Sequence, residues 1–337
     1  MSILQIAAIC VLSSLSISAW HLSAKSKGEH KIVFLHGGRS HASGDHEFQA
    51  GSHLLANHLN AQKKVNLKAV VNAGWPSDEG MLDDADAIVI YADGTSVIGK
   101  GWNKMDQLVK NKKVGVVFMH YAVHPSVDQG EKYFLPWIGG FFKNGVSVNP
   151  FWRAKITAMK WHETANGVGA IDAVDEFYFN IHYHPDALPL GSATPDEKNL
   201  LRINNIWTRD GYLAKGKSQA LLWGIERPGG GRGVGFTGGH HHRNWAIDGY
   251  RQLVMNSIAW AAGAEIPEGG VPTYPVTENE LNQKLDDYGD RTKRIKLPTQ
   301  EDVTFSPGPW MTPEQHAESR RRPKKKKLNN YFKPTKN

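Results

Sequence analysis

The sequence predicts a doubly wound α/β domain, a mostly parallel sheet flanked by helices, with an extended basic tail at its C-terminus. Three observations carry this reading. Apolar runs are continuous rather than alternating, which marks strands covered on both faces. Stretches with helical spacing lie between several of them. Finally, 337 residues with 40% hydrophobic and 22% charged content supply one core of about 230 to 250 residues plus extras, excluding a fibre, a repeat array or wholesale disorder.

The N-terminal run Ile3 to Ala19 is apolar but interrupted by Ser13, Ser14, Ser16 and Ser18. Ser16-Ile17-Ser18 offers a small-x-small cleavage site, so residues 1–18 read as a secretory signal and the protein as exported, to the periplasm or outside the cell. An uncleaved membrane anchor is the alternative, since the run is close to the shortest length that spans a bilayer. The single cysteine, Cys10, lies inside this run. Disulfides, thiolate metal sites and cysteine nucleophiles are thereby excluded from the body.

Strands are expected at Lys31 to Leu35, Leu67 to Val71, Ala87 to Tyr91, Val114 to Met119, Ala220 to Trp223 and Gly233 to Thr237. Glu47 to Leu59 repeats apolar residues at helical intervals, as does Tyr250 to Ala262, where Gly263 supplies the stop. Residues 151–205 are less regular. Asp175 to Phe179 resembles a strand entered from an acidic turn. The domain is thus drawn over 31–263. From Ala264 the chain turns rich in proline, glycine and charge, and 264–337 is expected to be an extended or disordered tail.

The formal charge of +7 belongs to that tail, whose last twenty residues hold nine Lys or Arg against Glu318 alone, leaving residues 1–317 at −1. The body therefore gives no ground for specific nucleic-acid binding. The tail is suited to an anionic surface or polymer, or simply to solvent.

In a doubly wound sheet the chemistry lies beyond the carboxyl ends of the strands. Four of the segments expected there carry histidines or carboxylates: His36 to Glu47 with His41, Asp45 and His46; Asp93-Gly94; His120 to His124; and Gly238 to Trp245 with His240, His241 and His242. Their convergence on one rim is the strongest functional signal in the sequence.

Five segments, taken in order, resemble the trehalose-utilisation (ThuA-like) family: Lys31 to Gly38, Asp86 to Gly94, Gly115 to Ala122, Asp175 to Tyr178, and Gly235 to His240 running on through Trp260. The resemblance implies a flavodoxin-like, class I glutamine amidotransferase-like fold and a link to sugar breakdown. Glutamine amidotransferases place a cysteine where this chain has His120, so thiolate glutaminase chemistry is closed to it.

Two mechanistic readings stand side by side. In one, His120 is a general acid or base with Glu176 as its carboxylate partner and Tyr178 as hydrogen-bond donor, suiting isomerisation, elimination or hydrolysis of a disaccharide or oxidised (keto) sugar. In the other, His240 and His242, two apart in an extended segment, bind a divalent metal with a third ligand from His41, His46, His120 or Glu176. Nitrogen and oxygen donors would suit zinc, manganese, iron or nickel. Against both stands a buried histidine bonded to backbone, with a polar loop of no function. Asp93, Tyr121, Trp245, His41 and His46 are the candidate saccharide contacts, the aromatics because a ring matches the C–H face of a pyranose. His36-Gly37-Gly38 lacks the spacing of a phosphate loop, so no nucleotide is expected. A non-catalytic carbohydrate-binding protein on the same fold is the alternative to an enzyme. Oligomeric state is not legible.

Overall fold

The computed structural model describes residues 28–196, 198–200 and 208–299, together with Glu314, Gln315 and Glu318. The segment read as a secretory signal, Cys10 and the Lys/Arg run of the tail lie outside the described residues. Among the described residues no helix is long and apolar enough to cross a membrane.

Eleven strands form among the described residues: β1 His30–His36, β2 Leu67–Ala73, β3 Ala87–Tyr91, β4 Gly115–Met119, β5 Gly140–Phe141, β6 Trp152–Ala158, β7 Ile171–Asp175, β8 His182–Tyr183, β9 Leu188–Ala193, β10 Gln219–Glu226 and β11 Arg232–Phe236. Nine of them make one sheet in the order β2-β1-β3-β4-β11-β10-β9-β6-β7. The first five of that order are parallel, and the remaining four extend the sheet antiparallel. The parallel portion has the strand order of a flavodoxin-like fold.

The helices are α1 Phe48–Ala61, α2 Trp102–Asn111, α3 Val127–Gln129, α4 Leu135–Ile138, α5 Arg209–Ala214, α6 Asp248–Ala261 and α7 Glu278–Leu281. The continuous apolar runs are explained by burial on both faces. Ile32 and Phe34 of β1, Val89 of β3 and Val117 of β4 face the layer containing α1 and α6. Their neighbours Val33, Leu35, Ile88, Ile90, Val116 and Phe118 face the layer containing α2 and α4. Helix α1 ends where the Gln62 amide bonds the Leu59 and Val65 carbonyls and accepts from the Val65 N–H. Helix α6 is buried almost all round and stops at Gly263, whose φ of +79° suits a residue without Cβ. It lies against the start of β4, where a Cβ on Gly115 would sit 2.0 Å from the Ala261 carbonyl oxygen.

Two expectations change. Strand β7 ends at Asp175, and residues 176–179 run on as irregular backbone bridged once, Phe179 to Val148. The domain also continues past Gly263. The stretch to Thr299 is mostly irregular, as an arm should be, yet Ile266, Val271, Val276, Leu281 and Ile295 are buried in the same core as α1 and α6. Five apolar anchors spaced along a loop leave no helical or strand period to read.

The register aligns His36, Tyr91, Met119 and Phe236 at the carboxyl ends of β1, β3, β4 and β11. The loops that leave the sheet at these four positions are thereby delivered to one rim.

Candidate functional site

Four side chains from four segments meet there. The loop after β1 brings His46, the residue following β4 is His120, the turn after β7 brings Glu176, and the loop after β11 brings His240. One donor atom from each lies within 4.8 Å of all the others, and all four residues are buried. His46 and His120 both sit in the left-handed region, at φ 52° and 54°. That conformation is uncommon outside glycine and is retained where the surroundings enforce it, often at functional sites.

The hydrogen bonds around the cluster fix which nitrogen carries each proton. His46 Nδ1 lies 2.8 Å from Asp93 Oδ1 and His120 Nδ1 lies 2.9 Å from the Thr237 carbonyl oxygen. Both acceptors demand an N–H, so each Nε2 presents a lone pair. Those two Nε2 atoms are 2.9 Å apart. His240 Nδ1 approaches His46 Nε2 to 2.9 Å and Glu176 Oε2 to 3.6 Å. Glu176 Oε2 is 3.7 Å from His120 Nε2, while its Oε1 accepts from Asn149 Nδ2 at 2.9 Å. Tyr178 Oη stands 3.3 Å from His120 Nε2.

Electrostatics divide the cluster, pushing His46 and His120 toward the neutral ring and His240 the other way. Burial depresses His46 despite its bond to Asp93. Burial, with the neighbouring His46 and His240, drives His120 far below the ordinary imidazole range. His240 differs: burial alone would lower it, but the Glu176 carboxylate, with Asp175 and Asp45 beyond, leaves it raised. Burial holds the Tyr178 hydroxyl well above its ordinary value, so it stays protonated and can only donate toward a bare nitrogen.

Asp175 anchors this architecture. Its carboxylate is fully buried and accepts from the backbone N–H groups of Glu176, Gly239, His240 and His241 and from Tyr250 Oη at 2.8–3.1 Å. It ties the end of β7 to the histidine segment, which explains how a turn at the sheet's far edge reaches the central rim.

The structure brings together His46, His120, Glu176, His240, Tyr178 and Asp93, with exposed His41 lying ring to ring on His46 at 3.6 Å and half-buried Tyr121 beside it. Two expected residues are not brought in. His242 is fully buried away from the cluster, its Nε2 3.1 Å from the Leu281 carbonyl oxygen. The extended geometry needed for an i, i+2 pair ends at His241, because His242 opens a 3-10 turn. Trp245 is fully buried between Tyr91 and Tyr250, so its ring is core and offers no face to a sugar. His241, by contrast, pairs with Asp45 at 2.8 Å and stacks on Phe151. Asn149, Phe151 and the anchoring role of Asp175 carry no signal in the sequence. The first two sit in a stretch without periodicity, and nothing there ties them to residue 240.

No protein-family model matches the chain, and no curated protein does. Solved structures similar to it include a protein from Bacteroides uniformis described as ThuA-like, 12% identical over 74% of this chain and 98% of that one at a TM-score of 0.49. Another, from Parabacteroides merdae and described in the same way, is 15% identical over 69% and 90% at 0.48. A protein of Thermoplasma acidophilum, described as one of the subunits of GMP synthase, is 10% identical over 70% and 96% at 0.41. These are likenesses of fold alone.

Proposed function

We propose that this chain is an exported, saccharide-active enzyme that holds one divalent metal ion at His46, His120, His240 and Glu176. The observation that supports the reading is the pair of Nε2 lone pairs on His46 and His120, 2.9 Å apart with both Nδ1–H groups engaged elsewhere. Two acceptors aimed at one another repel unless a proton or cation lies between them, and burial disfavours the proton on either ring. A tetrahedral zinc site with metal–nitrogen bonds near 2.0–2.1 Å separates its nitrogens by about 3.3 Å, so the donors need to spread only slightly. Asp93 and the Thr237 carbonyl are the second layer of partners that orients ligating imidazoles. Zinc, manganese, iron and nickel all accept such a nitrogen and oxygen donor set.

When bound, the ion would supply Lewis acidity and a water acidified toward neutrality. The chain's own groups do the rest. Tyr178 keeps its proton beside His120, and Glu176, steadied by Asn149, has one oxygen turned into the cluster. Half-buried Tyr121 and Phe151 lie against His46 and His240 and have rings suited to the C–H face of a sugar. Asp93 and His41 add polar contacts there. The substrate class, a disaccharide or keto sugar undergoing hydrolysis, elimination or isomerisation, rests on the ThuA-like resemblance, which is an argument from analogy.

The test is elemental analysis by plasma mass spectrometry of untagged protein purified without a chelating resin. About one divalent ion per chain, lost in Glu176→Ala/His240→Ala, is the expected result, followed by a screen of disaccharides and keto sugars under that metal. A parent chain that stays metal-free after attempted reconstitution overturns the reading.

A further inference from the structure

The arm beyond Gly263 touches both histidine-bearing loops of the site. Its segment 281–295 meets the loop after β1 through Glu47, whose Oε2 accepts from the Asp286 N–H at 2.7 Å while Oε1 accepts from the Gly44 N–H at 2.9 Å. Tyr288 Oη donates to the His41 carbonyl at 2.7 Å, and the Lys293 N–H donates to Ser43 Oγ at 2.9 Å. The same segment meets the loop after β11 through His242, whose Nε2 donates to the Leu281 carbonyl. The two loops are bonded to each other as well, His46 N–H to the His240 carbonyl and His242 N–H to the Gly44 carbonyl.

We propose that residues 281–295 act as a strap that sets the geometry of the histidine cluster, with Glu47 and His242 as its positioning residues. The left-handed backbone of His46 is unfavourable for a residue with a side chain and persists only where neighbours over-determine it. Among the described residues, the turn that carries it is pinned from one side by the loop after β11 and from the other by the strap. Glu47 is fully buried yet, among the described residues, spends its carboxylate on two backbone N–H groups and none on a cation. A costly buried carboxylate that joins a distant arm to the residue next to a candidate ligand is placed to hold that ligand. The three successive histidines thereby divide three tasks: His240 faces the cluster, His241 pairs with Asp45, and His242 fastens the strap.

The inference rests on the metal-site reading for its functional meaning, and the experiment separates the two. In the full chain, Glu47→Gln replaces an acceptor facing an N–H with a donor, and Tyr288→Phe removes one partly exposed bond without disturbing the core. Cobalt(II) binding is measured by titration together with the visible absorption of the bound ion, and amide hydrogen exchange is followed over residues 37–47. The expected result is about tenfold weaker cobalt binding in Glu47→Gln, the range seen when an outer-layer partner of a ligand is lost, about threefold in Tyr288→Phe, an altered cobalt band in Glu47→Gln, and faster exchange in the loop in both. Leu108→Ala, destabilising but on the opposite face of the sheet, should change neither affinity nor band. A parent that binds no cobalt defeats the metal reading alone, and the strap is then judged by exchange. Unaltered exchange over 37–47 in both variants, or cobalt affinity and band equal to the parent's, overturns the strap.

Discussion

Two buried polar clusters occupy opposite ends of the parallel strands, and they are built on opposite rules. At the amino end the Arg227 guanidinium, buried without a carboxylate partner among the described residues, bonds the carbonyls of Val114, Trp137 and Arg232 at 2.6–3.1 Å. Every acceptor there meets a donor, and burial alone lowers the group to about 10, so it remains charged near neutrality. At the carboxyl end, His46 and His120 turn acceptors toward one another. The first cluster is complete in itself and joins β10 and β11 to β4. The second is complete only with something added, and that difference separates a structural network from a site.

The largest effect should come from breaking the complete cluster. Arg227→Ala strands several buried carbonyls and opens a cavity, so unfolding free energy is expected to fall by about 4 kcal/mol, measured by urea denaturation. Metal stoichiometry per folded chain should not change. A loss of metal with the fold intact would mean that the two ends are coupled through the sheet and that the division is false.

A pH effect tests the region where the arm lies on α1. His58 is buried, its ring stacked on Tyr274 at 3.9 Å and its Nδ1 bonded to Thr273 Oγ1. Burial, with the Arg251 charge nearby, holds it down at about 4. The unfolded imidazole takes its proton near 6.5, so between those values the unfolded chain binds more protons than the folded one. Stability is therefore full above about 6.5 and declines as pH falls toward 4, by roughly 3 kcal/mol for this group. Comparing unfolding at pH 7 and pH 4.5, His58→Gln should show a shallower decline than the parent. Equal slopes would place the acid sensitivity elsewhere.

How far the sequence could be read depends on the same physical divide. The parallel strands were legible because burial on both faces forces continuous apolar runs such as Ile88 to Tyr91, and α6 because a glycine closes its periodic stripe. Histidines and carboxylates after the strands β1, β3, β4 and β11 were legible because such a sheet delivers strand ends to one rim. The antiparallel extension beyond β10 was not, and Asp175 is drawn into the site by backbone N–H groups 64 to 66 residues away. His242 was misplaced because alternation holds only while the chain stays extended, and Trp245 because an aromatic beside a site looks the same in sequence whether it faces solvent or core. The arm escaped because its anchors obey no period.

The smallest effect is the most discriminating. Asn tolerates the left-handed backbone that His46 occupies, so His46→Asn removes the central imidazole without forcing the loop to change shape. In chelator-treated protein this variant should be no less stable than the parent and up to about 1 kcal/mol more stable, because relief of facing lone pairs offsets the lost Asp93 bond. With saturating metal the order should reverse, since an ion that binds only the folded parent adds stability the variant cannot gain. Urea denaturation with and without metal measures both. If instead the metal-free variant loses about 2 kcal/mol or more, the cost of breaking a satisfied buried network, the histidine cluster is structural like that of Arg227, and the contrast between the two ends of the sheet collapses.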